Sequence, residues 1–396
     1  MRHSSDVHGG ILPCNCTAPI FYAQTPHRIQ HKAASVSDLA RSSGTANSDH
    51  RGVQVSGNTV KIALSSHSGT LLAVLWATSA LGACVRLCLG ARSTTTLGLL
   101  AGISCFLFIV ALVWHLSQAE PSFSELPDMP PLITLGMGFY VTLGAIIVSL
   151  GLLFVIGAVA HPYIALMVAF SSIAAWIAFV WRRRLSFRLV SLGLGAGLVS
   201  CLVTRYVGTG DPFQSVFHLV TIPLLFIGGG LLLEQTGLAR VRLLDGRYAL
   251  GLGGFAWACV LAFPPAYLNI LGGSYVRDAW VDRWWEPLYA LVPGIAEETM
   301  ARLFLTTLCY ALLRPVSNER PGRSVVAAVL IGSLTHGLAH LSAHEILGPA
   351  GVMMILTGLL YGVPMAMLFI KRDLEHAVGY HFFIDFLRYL VALLQH

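Results

Sequence analysis

Residues 288–313, LYALVPGIAEETMARLFLTTLCYALL, form an apolar run long enough to cross a bilayer as a helix, yet the run contains Glu297, Glu298 and Arg302. One ionised side chain at the centre of a membrane helix costs about 2.5–3.5 kcal/mol on insertion scales, so three within six residues must pair, react or do both. On an α-helix Glu298 and Arg302 stand four residues apart, about 40° around the axis, with the acid first, the better order for an ion pair. Glu297 is five residues from Arg302, about 140° away, and has no partner on its own helix. An intramembrane carboxylate left without a partner is a candidate general base. The alternative is that all three charges form one buried structural knot.

Working outward, 55% of the 396 residues are hydrophobic and 11% charged, against about 25% charged in soluble domains. Apolar stretches of membrane-spanning length recur, which predicts an all-α, polytopic transmembrane helix bundle. About eleven spans are expected, near 71–91, 95–114, 132–160, 163–181, 189–206, 215–234, 249–271, 288–313, 324–346, 350–370 and 374–394. The third is overlong and calls for tilt. Residues 1–70 read as a polar, disordered tail, 71–272 as an N-terminal transmembrane region, and 273–396 as the part that carries the chemistry.

The net charge of +6 is spread in short clusters between apolar runs, a pattern of topology signals that argues against a nucleic-acid partner. With a cytoplasmic N-terminus, the inside loops after span four hold twelve basic residues: Arg182, Arg183, Arg184, Arg188, Arg240, Arg242, Arg247, Arg314, Arg320, Arg323, Lys371 and Arg372. The outside loops hold three, Arg205, Arg277 and Arg283. That bias predicts an integral protein of the cell membrane with its N-terminus inside. The eight cysteines are scattered without paired CxxC motifs and read as small buried thiols, Cys14 and Cys16 forming a lone CxC in the tail. Gly193, Gly195 and Gly197, and the run Gly228 to Gly230, suit close helix packing.

Two later spans also carry polar clusters. THGLAHLSAHE, residues 335–345, sets His336, His340 and His344 four apart on one helical face, with His340 at a depth that can meet Glu297. Two imidazoles with a carboxylate also make a zinc donor set, so a metal reading stays open. YHFFIDFLRY, residues 380–389, sets His381 and Asp385 four apart, with Arg388 three further on. An acid beside an imidazole fixes its tautomer; alternatively Asp385 pairs with Arg388 and tethers the helix.

In order, EExxxR, HxxxH and HxxxD on three consecutive spans resemble the CPBP family, which includes the type II CAAX prenyl endopeptidases and the bacterial Abi and bacteriocin-processing proteins. The resemblance covers roughly residues 285–390. It implies an intramembrane peptidase core whose catalytic set is Glu297, His340, His381 and Asp385, supported by Glu298, Arg302 and His336. It also implies a glutamate-activated water without metal; if zinc is bound instead, its ligands are His336, His340, His381 and Glu297. The implied substrate is a membrane-associated peptide or protein, prenylated or leader-bearing. This chain has His336 where the second motif usually has an aromatic. It has Asp385 where an Asn would donate to an oxyanion, so Asp385 must be protonated or must orient His381. Competing functions are a non-catalytic immunity or scaffold protein of the same fold and a proton-coupled transporter, the latter predicting paired broken helices and an internal repeat.

Overall fold

The apolar runs form helices, and no strand occurs among the described residues. The computed structural model describes residues 69–84, 95–118, 162–208, 210–274, 278, 280–314, 321–341, 345 and 348–395. Residues 1–68 of the expected tail, including Cys14 and Cys16, lie outside them, as do the predicted span 132–160, Cys88, Arg277, Arg320 and His344, while 69 and 70 begin the first helix.

In chain order the helices are α1 (Gly69–Cys84), α2 (Thr95–Gln118), α3 (Pro162–Val180), α4 (Phe187–Tyr206), α5 (Pro212–Thr236), α6 (Tyr248–Leu261) and α7 (Phe263–Leu271). A 3-10 turn (Glu286–Ala290) leads into α8 (Leu291–Glu298), which widens into a π-helical segment (Thr299–Thr306) and continues as α9 (Thr307–Leu313). Then come α10 (Pro321–Leu338), α11 (Pro349–Thr357), a second π-helical segment (Gly358–Gly362), α12 (Val363–Lys371) and α13 (Leu374–Gln395). Six of the described helical stretches are long and apolar enough to cross a membrane, and a seventh is added if α6 and α7 are one span. Side chains such as Trp114, Phe179, Leu252, Trp257 and Val352 stay exposed on the outside of this bundle, a surface suited to hydrocarbon.

The regular spans expected from sequence are modified in three places. α6 and α7 meet at a 42° bend, where Pro264 and Pro265 remove backbone donors and crowd the preceding turn. The run 288–313 is not a uniform α-helix, because the π-helical segment sits in its middle. α10 stops at Leu338, so His340 hangs from the turn after the helix rather than from its face.

Local signals explain the rest. α5 begins with Asp211 accepting from the Phe213 amide at 2.9 Å and Pro212 at its first position, and it ends at Gly237 with φ 62°. Within α5, Gly228, Gly229 and Gly230 each face a different neighbour. A Cβ on Gly228 falls 2.6 Å from Ala174 Cβ of α3, one on Gly229 2.8 Å from Leu303 Cγ of the first π-helical segment, and one on Gly230 2.5 Å from Leu189 Cδ1 of α4. Three helices therefore converge on one turn of α5.

α13 is the second hub and packs against α6, α7, α8 and α12. Its start is clamped to the 237–247 loop. The Glu375 carboxylate accepts from the Arg242 and Leu243 amides, and Asp373 binds Arg242 at 2.5 Å and the His376 ring at 2.6 Å.

Gly229→Ala tests the three-helix junction. The added methyl meets the Leu303 carbonyl oxygen at 2.9 Å, a backbone atom that cannot swing aside, and is expected to cost about 1–3 kcal/mol, read as a lower melting temperature in detergent. Gly195→Ala, with nothing within 4 Å, is the control and should melt like the parent.

Candidate active site

Glu297 and Glu298 close the last turn of α8, and Gly294 one turn earlier lets α13 approach, since a Cβ there would lie 3.3 Å from Phe382 Cβ. The backbone then widens, with the Thr306 hydroxyl donating to the Ala301 carbonyl at 2.7 Å and the Thr307 hydroxyl to the Arg302 carbonyl at 3.4 Å. From this wide turn Arg302, fully buried, reaches three elements. Its Nε lies 3.2 Å from Glu298 Oε2, its Nη1 donates to the Gly332 carbonyl of α10 at 3.3 Å, and its Nη2 lies 3.8 Å from Met365 Sδ of α12.

Glu298 does more than neutralise Arg302, because its other oxygen, Oε1, lies 2.9 Å from His381 Nδ1 of α13. Helical spacing along one span cannot reveal that contact. Glu297 turns the other way: its Oε2 lies 3.4 Å from His340 Nε2, 3.5 Å from His336 Nε2 and 3.8 Å from His381 Nε2. The His336 ring stands edge-on to both other imidazoles, with centroids 5.5 Å from His340 and 5.4 Å from His381. His340 keeps its place despite lying past the end of α10, because its amide donates to the Gly337 carbonyl at 3.3 Å and its ring stacks on Tyr163 of α3.

Asp385 lies 3.5 Å from His381 Nε2 and 3.2 Å from Arg388 Nη1, so both contacts anticipated from the sequence coexist. The chain of charges continues outward, Arg388 Nε lying 2.9 Å from Asp278 in the segment before the 3-10 turn. Burial pushes the Asp278 carboxyl up, and the Arg388 guanidinium only partly offsets it. Thus the structure brings Glu297, Glu298, Arg302, His336, His340, His381 and Asp385 into one cluster.

The cluster borders two cavities. One, of about 670 Å³, is reached by Glu297 and is walled on the far side by Tyr163, Gln214, Phe217 and His218. The other, of about 660 Å³, lies between α7, α10, α11 and α13 and is lined by Met353, Met354, Met365 and Ile384. His336, His340, His381, Asp385 and Arg388 border both. The first wall was missed by sequence reasoning, although an intramembrane histidine at 218 was a signal that could have found it.

Glu297, His336 and His340 present donor atoms all within 4.8 Å of one another, a possible metal-binding group. Tetrahedral zinc with donors about 2.0–2.1 Å from the ion spaces them about 3.3 Å apart, close to the separations from Glu297. One feature fits less well: His336 Nδ1 is buried without a hydrogen-bond partner, whereas metal-bound histidines usually anchor their second nitrogen.

Residues 279–387 match the family model described as "Type II CAAX prenyl endopeptidase Rce1-like". The match bears out the resemblance to the CPBP/CAAX protease family, a class of intramembrane proteases, and falls on the segment that holds the cluster. No curated protein and no solved structure matches the chain.

Arg302→Met leaves Glu298 buried with its charge opposed only by His381. The expected loss is about 3–5 kcal/mol, read as a collapse in monodisperse protein on size-exclusion chromatography. The double variant Glu298→Gln with Arg302→Met removes the stranded charge and should recover part of the folded yield.

Proposed function

We propose that this chain, with its CPBP/CAAX protease segment at residues 279–387, is an intramembrane endopeptidase that hydrolyses a peptide bond by a glutamate-activated water. The observation that carries the reading is Glu297: a carboxylate at a cavity wall, within 3.8 Å of three imidazoles, on the matched segment. Glu297 takes a proton from a water in the cavity, assisted by His340, and the oxygen attacks the substrate carbonyl carbon. When the C–N bond breaks, Glu297 returns the proton to the leaving amine.

His381 stabilises the developing oxyanion. Glu298 holds its Nδ1, and the 3.5 and 3.8 Å separations from Nε2 to Asp385 and Glu297 are long for hydrogen bonds, which leaves that nitrogen free for a substrate oxygen. Asp385, ion-paired with Arg388, orients His381 through its charge, without a hydrogen bond that would occupy Nε2, and does not itself donate to the oxyanion. Glu298 and Arg302 hold α8, α10, α12 and α13 in register around the site.

A zinc-dependent variant of the same activity has one observation in its favour, the donor spacing in the Glu297, His336 and His340 group. In that case those three residues hold the ion, His381 stands nearest as a fourth, and the ion supplies an acidified water. Residues 273–396 are the catalytic unit and 71–272 its membrane scaffold, with the N-terminus on the cytoplasmic side of the cell membrane. The substrate is a membrane-associated peptide or protein, prenylated or carrying a leader. A proton-coupled transporter of this kind calls for a pair of broken helices, and the described residues contain one bent pair, α6 with α7.

Glu297→Gln should lower kcat on a fluorogenic peptide panel by about 10²- to 10⁴-fold with the melting temperature kept; unchanged turnover removes Glu297 from the chemistry. Full activity after 1,10-phenanthroline, with substoichiometric zinc by mass spectrometry, is the metal-free outcome. Loss of activity restored by added zinc gives the site to the metal.

A further inference from the structure

Half of the cavity that Glu297 faces is built by residues outside the matched segment. α5 contributes Gln214, Phe217 and His218 to its wall, and its N-cap contributes Asp211. Gln214 and His218 are four residues apart on one face of α5, and Asp211, its N-cap, stands just before them. Each has one side already engaged. His218 Nδ1 lies 3.1 Å from the Thr204 hydroxyl of α4, Gln214 Nε2 donates to the Tyr289 hydroxyl at 3.4 Å, and Asp211 Oδ1 accepts from the Phe213 amide. These contacts fix the side chains and leave His218 Nε2, Gln214 Oε1 and Asp211 Oδ2 for the cavity.

Packing alone does not account for the histidine. An interhelical hydrogen bond in a membrane bundle contributes about 0.6 kcal/mol. Burying an imidazole costs more than that unless its second nitrogen also finds a partner, and the cavity is where His218 Nε2 can find one. A peptide brought to Glu297 from the membrane has the matching need, because its backbone N–H and C=O groups must find partners away from water. Among the described residues there is no strand edge to supply them. Gln214 and His218 are separated by about 6 Å along the helix axis, and an extended chain presents same-side backbone groups every second residue, about 6.6–6.8 Å apart.

We propose that Asp211, Gln214 and His218 form a polar ladder on α5 that binds alternate backbone groups of an extended substrate segment beside the scissile bond. The inference rests on the peptidase reading and adds to it that the substrate must be unwound over several residues. It also makes α5, outside the matched segment, a determinant of substrate affinity. These are positioning residues: they set affinity and leave the chemical step to the Glu297 cluster.

The test uses the full chain in detergent, in the Glu297→Gln background, and a fluorescein-labelled, farnesylated CaaX octapeptide as probe, followed by fluorescence anisotropy. His218→Ala and Gln214→Ala should each weaken binding roughly three- to tenfold, while the conservative His218→Asn recovers part of the loss. A backbone N-methyl group at the amide facing Gln214 should weaken binding to the parent and have no further effect in Gln214→Ala. In the active protein the same variants should raise KM with little change in kcat. Unchanged affinity and KM in both alanine variants, or N-methyl penalties identical in parent and Gln214→Ala, would overturn the ladder. If His218→Ala does not fold, Gln214→Ala and Thr204→Val, which frees the ring, carry the test. Ladder-dependent binding without cleavage by the wild-type chain defeats the peptidase reading and leaves the ladder standing. Cleavage lost in Glu297→Gln but KM insensitive to α5 does the reverse, and absence of any probe binding overturns both.

Discussion

The Glu298 carboxylate is the constraint on which the rest of the site depends. It is completely buried in an apolar bundle, and its two oxygens are divided between Arg302 on its own run and His381 on α13. An anion in that position is tolerable only when both contacts are made together, because a lone buried charge is far more costly than a satisfied one. One carboxylate thus fixes the angle of α8 to α13 and the orientation of the imidazole. Its neighbour Glu297 is spared that structural duty and can face a cavity.

The frame around this pair is assembled from two sources. Within the family-matched segment, α8, α10 with the turn after it, and α13 supply the acid and the imidazoles, and just beyond its two ends Arg388 ties α13 to Asp278 before the 3-10 turn. Upstream helices supply the opposite wall, through Tyr163 on α3 and the polar face of α5, and the Gly228–Gly230 turn keeps α5 against the π-helical segment that carries Arg302. The upstream region is therefore continuous with the site in space although its sequence carries none of the three motifs.

Much of this was legible in the sequence wherever the relevant geometry lies along one helix. The Glu298–Arg302 pair and the proximity of Asp385 to both His381 and Arg388 follow from residue spacing. Contacts between helices did not follow, because they depend on rotations and crossings that spacing does not encode; Glu298 to His381 and the His218 wall are of this kind. The single helical face expected for the histidines does not extend to His340 for a local reason, since α10 ends at Leu338 and His340 is held by a tight turn and by Tyr163 instead, while His344 lies outside the described residues. The π-helical segments were also invisible, because neither TMARLFLT nor GLLYG carries a residue that excludes an ordinary α-helix.

The π-helical turn around Arg302 holds a surplus residue relative to an α-helix, since its hydrogen bonds close over five residues instead of four. Shortening this turn by one residue would let it relax into α-helical geometry at little local cost. The flanking helices would stay nearly in phase, because the wide turn is what absorbs the surplus residue, but the side chains inside the turn, Arg302 among them, would be re-aimed. Arg302 would lose its simultaneous hold on Glu298, Gly332 and Met365, so the length of this turn matters as much as the identity of any residue in it. Tolerance to insertion and deletion should therefore be lowest in the middle of this helix, far from any loop, where amino-acid chemistry alone gives no warning of it.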